Sequence, residues 1–437
     1  MTTPSVSEVH GDAAATGDAL HALAVELFPM GRSLTGRGVR DTLRRLQREI
    51  PLDVREVPSG TAVLDWTVPD EWNLREAWIR DSTGRHIVDA KHSTLAVMGY
   101  SVPVRDKLTL AQLRQRLHTI PEHPDWVPYR TSYYRQTWAF CLPHRLLQSL
   151  TEDHYEVCID ASLEKGHLTY GECVLPGESR DEVLVSTHVC HPEMANDNLS
   201  GIVVATFLAR HLARIAHRLT YRFLFIPGTI GSITWLALNE NALAHIRHGL
   251  VLAGVGDAGA LSYKRSRRGD ATVDRAAAHI LNLRGLDKRV LDFSPYGYDE
   301  RQYCSPGFNL PVGCLMRTPF GCYPEYHTSA DNLDFVKPES LADSLDACRE
   351  IMGILDGNDV YRNLNPKGEP HLGRRGLFDT TGGRQHERDF QMALLWVLNQ
   401  SDGSNSLLDI AIKARLPFSL MRKAADALLA VGLLALA

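Results

Sequence analysis

The chain has 437 residues and a hydrophobic fraction of 44%, which is typical of a globular protein with two or three domains. Its 47 Lys and Arg against 52 Asp and Glu give a formal net charge of −5, which argues against nucleic acid or a membrane as its partner. The polar amino terminus has no signal-peptide pattern and the eight Cys have no zinc-finger or redox spacing. We therefore expect a cytoplasmic protein with reduced thiols.

The first predicted elements are two helices within residues 18–50. Apolar residues between Ala19 and Phe28 recur at helical spacing, and a second amphipathic helix follows the turn at 33–36. Residues 51–130 differ in style, with a predicted hairpin around 81–84 and a concentration of Trp. We interpret them as a small, mostly β domain inserted into the main fold.

The predicted α/β core comprises residues 18–50 and 131–345. Segments 155–160 and 168–174 are expected to form a hairpin at the sheet edge. Beyond them, apolar runs at Glu182–Ser186, Tyr221–Ile226 and Leu250–Val255 are separated by helical segments. This alternation predicts an α/β fold with a mostly parallel central sheet and helices on both faces.

The predicted third domain is residues 385–437. Three helical segments, 388–398, 407–414 and 418–430, resemble a winged-helix module with a short wing. Its recognition helix would offer only Arg422 and Lys423 as cations, whereas DNA binding needs a denser basic face. We therefore expect this module to serve dimerisation or domain docking rather than DNA binding, and the inserted domain is the other candidate contact for a homo-oligomer.

Four side chains lie at or just beyond the ends of predicted strands. His188 ends the first apolar run, Asp197 precedes a helix, Asp257 follows the third run and His327 lies in a loop after the strand 310–316. Open α/β sheets bind their ligands at the carboxyl ends of strands. Imidazole and carboxylate are zinc ligands, so these four residues form a candidate metal site for one or two zinc ions.

Two motifs around these residues carry a resemblance. Asp197-Asn198-x-Ser200-Gly201 and His327-Thr328-x-x-Asp331 resemble motifs of the zinc aminopeptidases and carboxypeptidases with a co-catalytic metal pair. The resemblance implies that Asp197 bridges two zinc ions, that His188 and Asp257 complete one site, and that His327 belongs to the other. Asp331 is expected to orient His327.

A narrower family, the bacterial aminopeptidase-like proteins linked to polysaccharide or natural-product gene clusters, is similar over nearly the whole chain. The matching segments follow one order along the sequence: Asp65-Trp66, 101–103, Tyr133-Tyr134, 299–304 and 367–370. The resemblance implies a zinc exopeptidase-like fold and a small-molecule or short-peptide substrate.

One position departs from both families. The strand 221–226 leads into Gly228 and Thr229, where the narrower family has a Glu and the broader superfamily has two. A general base contributes about 10² to 10⁴ in rate. Glu193, Glu300 and Glu325 are the candidates for a replacement base, with Glu300 and Glu325 preferred.

Further polar residues are candidates for binding substrate. Arginine offers a planar fork for a carboxylate or phosphate, and an acidic pair could bind a substrate amine. The candidates are Arg265, Arg267, Arg268, Asp299, Arg301 and Tyr303. The main hypothesis is a zinc-dependent amide hydrolase. The alternatives are a metal- or ligand-binding protein without catalysis, and an acyl-transfer or cyclisation enzyme.

Overall fold

A computed structural model describes residues 13–377 and 385–437. The helices are α1 (Ala13–Leu27), α2 (Arg37–Leu46), α3 (Leu110–Arg114), α4 (His144–Gln148), α5 (Gly201–Leu212), α6 (Ile230–Leu238), α7 (Thr272–Leu283), α8 (Glu300–Tyr303), α9 (Pro338–Gly357), α10 (Gln385–Gln400), α11 (Leu407–Ala414) and α12 (Phe418–Ala430). The strands are β1 (Asp53–Pro58), β2 (Ala62–Val63), β3 (Trp66–Thr67), β4 (Glu71–Arg80), β5 (His86–Asp89), β6 (Val104–Thr109), β7 (Leu117–His118), β8 (Phe140–Cys141), β9 (His154–Glu164), β10 (His167–Leu175), β11 (Glu182–His188), β12 (Thr220–Ile226), β13 (Ile246–Leu252), β14 (Ser262–Lys264), β15 (Val290–Leu291), β16 (Val312–Met316), β17 (Val360–Asn363), β18 (Asp402–Ser406) and β19 (Leu434–Leu436).

The chain divides into two compact units. The first comprises the residues up to 269 together with 292–345, and the second comprises 270–291 together with 346–437. The inserted domain proposed for residues 51–130 is not separated from the first unit by this division, and it stays a prediction.

The first unit is built on a large mixed sheet. Its order runs β1-β10-β12-β11-β13-β16-β14, with parallel pairing from β12 through β11 and β13 to β16 and antiparallel pairing at both flanks. Every residue of β11 is buried, as expected for a strand covered on both faces. The predicted α/β class with a parallel centre is therefore confirmed.

A second, antiparallel sheet in this unit has the order β5-β4-β9-β6. The predicted hairpin is formed by β4 and β5, and Asp81 closes its turn by accepting hydrogen bonds from the backbone N–H groups of Thr83 and Arg85. The predicted hairpin between 155–160 and 168–174 is wrong. β9 pairs with β4 and β6, whereas β10 pairs with β1 and β12, because alternation of apolar residues does not specify the partner strand.

The second unit contains three helices and a small sheet. Helices α10, α11 and α12 match the three predicted segments closely, and β17 pairs antiparallel with both β18 and β19. On α12, Arg422 donates hydrogen bonds to Asp359 and Asp426, and Lys423 lies over the Phe390 ring. Both cations of the expected recognition helix are thus engaged within the unit.

No helix in residues 13–377 and 385–437 is long and apolar enough to cross a membrane.

Candidate functional site

Three imidazoles surround one buried carboxylate at the carboxyl end of β11. His188 is the last residue of that strand, and its Nε2 lies 2.7 Å from Asp197 Oδ1. Nε2 of His327 lies 3.0 Å from Asp197 Oδ2, and Nε2 of His191 lies 3.9 Å from the same oxygen. The structure thus brings together three of the four predicted metal ligands and adds His191.

The backbone around Asp197 is held by side chains from elsewhere in the unit. The Asp331 carboxylate accepts hydrogen bonds from the backbone N–H groups of Asn196 (2.5 Å) and Asp197 (2.9 Å). A Cβ atom at Gly201 would lie 2.5 Å from the Leu252 carbonyl oxygen, so only glycine lets α5 begin this close to the strand ends. Asp331 therefore supports the Asp197 loop, and the prediction that it orients His327 is wrong.

The electrostatics of the cluster favour an ionised carboxylate among imidazoles. Burial opposes ionisation of Asp197, but His191, His188 and His327 outweigh it and hold the pKa of Asp197 well below its usual value. Burial also lowers the pKa of His191 to about 3, so this imidazole is neutral at physiological pH. A carboxylate and a neutral imidazole are the forms that bind metal ions, and Asp197 and His191 have these forms. Burial opposes protonation of His188, but Asp197 outweighs it and raises the pKa of His188, so a metal ion would displace a proton there.

Unpaired atoms give a second test of the fit to a metal. Asp197 Oδ2 and His327 Nε2 are buried and lie 3.0 Å apart, but they are not oriented to form a hydrogen bond with each other, and neither has another hydrogen-bond partner. A buried polar atom without a partner is costly, so such atoms indicate a missing ligand. The donor atoms of His188, His191 and Asp197 also lie within 4.8 Å of one another. The residues present therefore fit a metal ion.

Asp257, the fourth predicted ligand, lies outside this cluster. Its Oδ1 accepts hydrogen bonds from the Gly259 N–H (2.7 Å) and the Thr318 hydroxyl (2.6 Å). Its Oδ2 accepts hydrogen bonds from the Asn196 side-chain amide (3.1 Å) and the Thr318 N–H (3.2 Å). Both oxygens of Asp257 are engaged in hydrogen bonds that join the β13, Asn196 and Thr318 segments, and its predicted ligand role stays a prediction.

The space beside Gly228 is occupied by Asp299. The side chain of Asp299 is buried and accepts a hydrogen bond from the Ser232 hydroxyl at 2.9 Å. Burial raises the pKa of Asp299 to about 6, although His188 lowers it. The predicted role of Asp299 in binding a substrate amine is untested, and the structure places its carboxylate next to the candidate metal site.

The three glutamates considered as bases have other environments. Glu300 is fully buried and forms an ion pair with Lys264 at 2.6 Å, a pairing that does not fit a general base. Glu193 accepts hydrogen bonds from the Ser93 hydroxyl and the Thr94 N–H. Glu325 is half-buried, two residues before His327, so its predicted catalytic role stays a prediction.

Three of the predicted substrate-binding arginines donate hydrogen bonds to groups within the first unit. Arg265 donates a hydrogen bond to the Gly269 carbonyl, and Arg267 and Arg268 both donate to Asn309. These contacts do not fit the predicted clamp, because the guanidinium groups already hold backbone and amide groups. Arg301 lies over the Tyr296 ring at 5.9 Å, and its predicted role is untested.

Tyr303 is fully buried, and its hydroxyl forms a 2.9 Å hydrogen bond with Ser186 in β11. A side chain enclosed in this way has no surface to offer a substrate. The predicted binding role of Tyr303 is therefore corrected to a structural contact below the sheet ends.

Aromatic side chains that the sequence did not single out surround the cluster. Tyr326 stacks on His327 with ring centroids 4.0 Å apart, and Tyr298 stacks on His188 at 5.3 Å. Tyr129 contacts both His191 and His327 at 5.1 and 5.3 Å. The local signal was adjacency for two of them, since Tyr326 precedes His327 and Tyr298 precedes Asp299, whereas Tyr129 comes from a distant segment.

Comparisons with known proteins identify the family of this chain. Residues 21–358 match the family described as "Domain of unknown function (DUF4910)", and residues 359–436 match a winged helix-turn-helix family. The chain is 50% identical over 421 residues to a Clostridium acetobutylicum protein, covering 96% of this chain and 97% of that protein. That relative is provisionally named a polysaccharide biosynthesis protein with an aminopeptidase-like domain.

Solved structures extend the comparison. A crystal structure of a provisionally named peptidase from Clostridium acetobutylicum superposes with a TM-score of 0.93 and 47% identity, covering 99% of both chains. A zinc aminopeptidase from Bacillus subtilis superposes with a TM-score of 0.55 at 14% identity, covering 78% of this chain and 94% of that chain, and it shows a shared fold alone. The chain therefore belongs to the DUF4910 family, with an aminopeptidase-like α/β fold and a carboxyl-terminal winged-helix region.

Proposed function

We propose that this chain is a zinc-dependent amide hydrolase of the aminopeptidase type, acting on a small aminoacyl or peptidyl conjugate in a biosynthetic pathway. The observation that carries the proposal is the set of three imidazoles around the buried Asp197 carboxylate, with ring nitrogens 2.7, 3.0 and 3.9 Å from its oxygens. The fold of the Bacillus subtilis zinc aminopeptidase supports the reaction type. The name of the Clostridium acetobutylicum relative supports a role in polysaccharide biosynthesis.

The residues of the cluster would bind the metal. His188, Asp197 and His327, with His191 beside them, would hold one or two zinc ions. Bound zinc would lower the pKa of a water molecule to about 7 and polarise the scissile carbonyl.

The aromatic rings around the cluster have a separate role in this proposal. Tyr129, Tyr298 and Tyr326 would exclude bulk water and orient the substrate, which strengthens every electrostatic contact inside the site.

The proposed setting is a cytoplasmic protein without a nucleic-acid or membrane partner. The formal charge of −5 and the engagement of Arg422 with Asp359 and Asp426 support this part of the proposal. A homo-oligomer formed through the carboxyl-terminal region or through residues 51–130 belongs to the same proposal.

Gly228 favours a second candidate function. A Gly here removes the carboxylate that the resemblance places beside the metal, so the fold could serve as a metal- or ligand-binding protein or catalyse acyl transfer or cyclisation instead of hydrolysis. Turnover separates the binding protein from the enzymes, and release of a hydrolysis product separates a hydrolase from an enzyme that catalyses acyl transfer or cyclisation.

The test combines metal analysis with a substrate panel. Purified protein is assayed for zinc by mass spectrometry, then incubated with aminoacyl anilides and short peptides before and after chelation. Zinc-dependent release of aniline or amino acid is the expected result. Bound zinc with no turnover would favour the binding protein, and a chain that carries no zinc and takes none up at neutral pH would overturn the proposal.

A further inference from the structure

Position 228 is directed at the gap between a predicted metal ligand and a second carboxylate. A Cβ atom built on Gly228 would lie 3.2 Å from His188 Cβ. The same atom would lie 3.3 and 3.4 Å from the two carboxylate oxygens of Asp299. A larger residue at 228 would therefore compete for the space that Asp299 occupies, so the small size of Gly228 and the placement of Asp299 go together.

Asp299 is held firmly, yet one of its oxygens is left without a partner. It immediately precedes α8, is 1% exposed, and receives the Ser232 hydroxyl on Oδ1. Its Oδ2 is buried and has no hydrogen bond. Burying a carboxylate oxygen without a donor is costly, and a cation in the site is the partner that would remove this cost.

We propose that Asp299 supplies a second carboxylate to the candidate metal centre, beside Asp197, in the space that Gly228 leaves free. The inference rests on the metal site of the proposed function and adds a residue to it. It also assigns Gly228 a role, because the missing side chain gives Asp299 access to the site. In this chain, the carboxylate near the metal would then come from the start of α8, whereas the resemblance places it just after β12.

The experiment measures zinc affinity rather than turnover. Zinc is titrated into the metal-free full chain by calorimetry for wild type, Asp299→Asn and the double variant Gly228→Glu with Asp299→Ser. Removing a carboxylate that faces a metal or its ligands is expected to weaken zinc binding about 10- to 100-fold. The double variant returns a carboxylate to the same space and should recover most of that loss. Asp292→Asn is the matched control, since its side chain is 100% exposed, and it should leave zinc affinity unchanged.

A second readout separates metal binding from simple structural support. In the metal-free protein, Asp299→Asn removes a buried charge with an unpaired oxygen, so its denaturation midpoint should equal or exceed that of wild type. A purely structural Asp299 would instead lower this midpoint and leave zinc affinity of the folded protein intact. If Asp299→Asn fails to fold, Ser232→Ala keeps the carboxylate but frees it, and zinc affinity should fall several-fold.

The outcomes distinguish the inference from the proposed function. Unchanged zinc affinity in Asp299→Asn, or in Ser232→Ala where that variant replaces it, overturns the inference and leaves zinc-dependent hydrolysis by wild type untouched. A large loss of affinity in Asp299→Asn, restored in the double variant, supports the inference even where wild type hydrolyses no substrate in the panel.

Discussion

Substitution of Gly228 tests how the space between His188 and Asp299 affects the stability of the protein and its zinc binding. The structure records no left-handed backbone angle at this position, so a side chain adds no backbone strain. A Cβ atom would meet His188 Cβ at 3.2 Å and Asp299 Oδ2 at 3.3 Å, contacts that require a shift of a few tenths of an ångström. For Gly228→Ala we expect a loss of about 1 kcal/mol in the free energy of unfolding, at the low end of overpacking costs.

Gly228→Glu adds a charge to the same contact. Two carboxylates about 5 Å apart repel by about 3 kcal/mol at an effective dielectric constant of about 20. The metal-free Glu variant should therefore be about 4 kcal/mol less stable than wild type, because overpacking and repulsion add. Zinc should reverse most of the electrostatic part, so zinc should stabilise the Glu variant more than it stabilises wild type.

The assay is denaturant unfolding of wild type, Gly228→Ala and Gly228→Glu, each with and without zinc. If the Ala variant is as unstable as the Glu variant, the cost is steric and the electrostatic reasoning is refuted. If Glu raises both zinc stoichiometry and hydrolysis, by about 10² or more in rate, the missing carboxylate was the functional deficit of this chain.

Three further predictions follow from particular contacts. His188→Ala and His327→Ala should each abolish most of the zinc binding measured by mass spectrometry, and His191→Ala should reduce it less. The reason is that the first two imidazoles lie 2.7 and 3.0 Å from the Asp197 carboxylate and the third lies 3.9 Å from it. Equal loss of zinc in all three variants would contradict this ranking. Deleting residues 385–437 should leave zinc bound but lower the solubility of the protein or change its oligomeric state, measured by light scattering. The reason is that the deletion exposes the rest of the second unit to solvent. Loss of bound zinc would contradict this prediction. Burial lowers the pKa of His248 to about 4, so the unfolded chain takes up a proton at higher pH than the folded chain does. The free energy of unfolding should therefore fall as pH drops from about 6.5 to about 4, by about 3 kcal/mol at most. His248→Gln should reduce the change of the denaturation midpoint with pH across this range, and an unchanged pH dependence would show that another group is responsible.

The sequence was most informative where structure depends on neighbours along the chain. Helices α10, α11 and α12 were predicted within a few residues, because a helix needs only a 3.6-residue apolar period and suitable ends. The parallel centre of the sheet was also predicted, since apolar runs separated by helices leave few alternatives. His188 and Asp197 were placed correctly for the same reason, as each lies where one element ends and another begins.

The sequence was least informative where the partner is distant. β9 and β10 carry a hairpin pattern but pair with different sheets, and Asp257 is at a strand end but is enclosed by hydrogen bonds from Asn196 and Thr318. Glu300 and Asp299 are adjacent, yet one pairs with Lys264 and the other faces His188. Residue type and spacing thus determined the helices and strands and the location of the site at the strand ends. Only the tertiary structure decided which carboxylates lie at the site, because burial and ion pairing depend on residues far away in the chain.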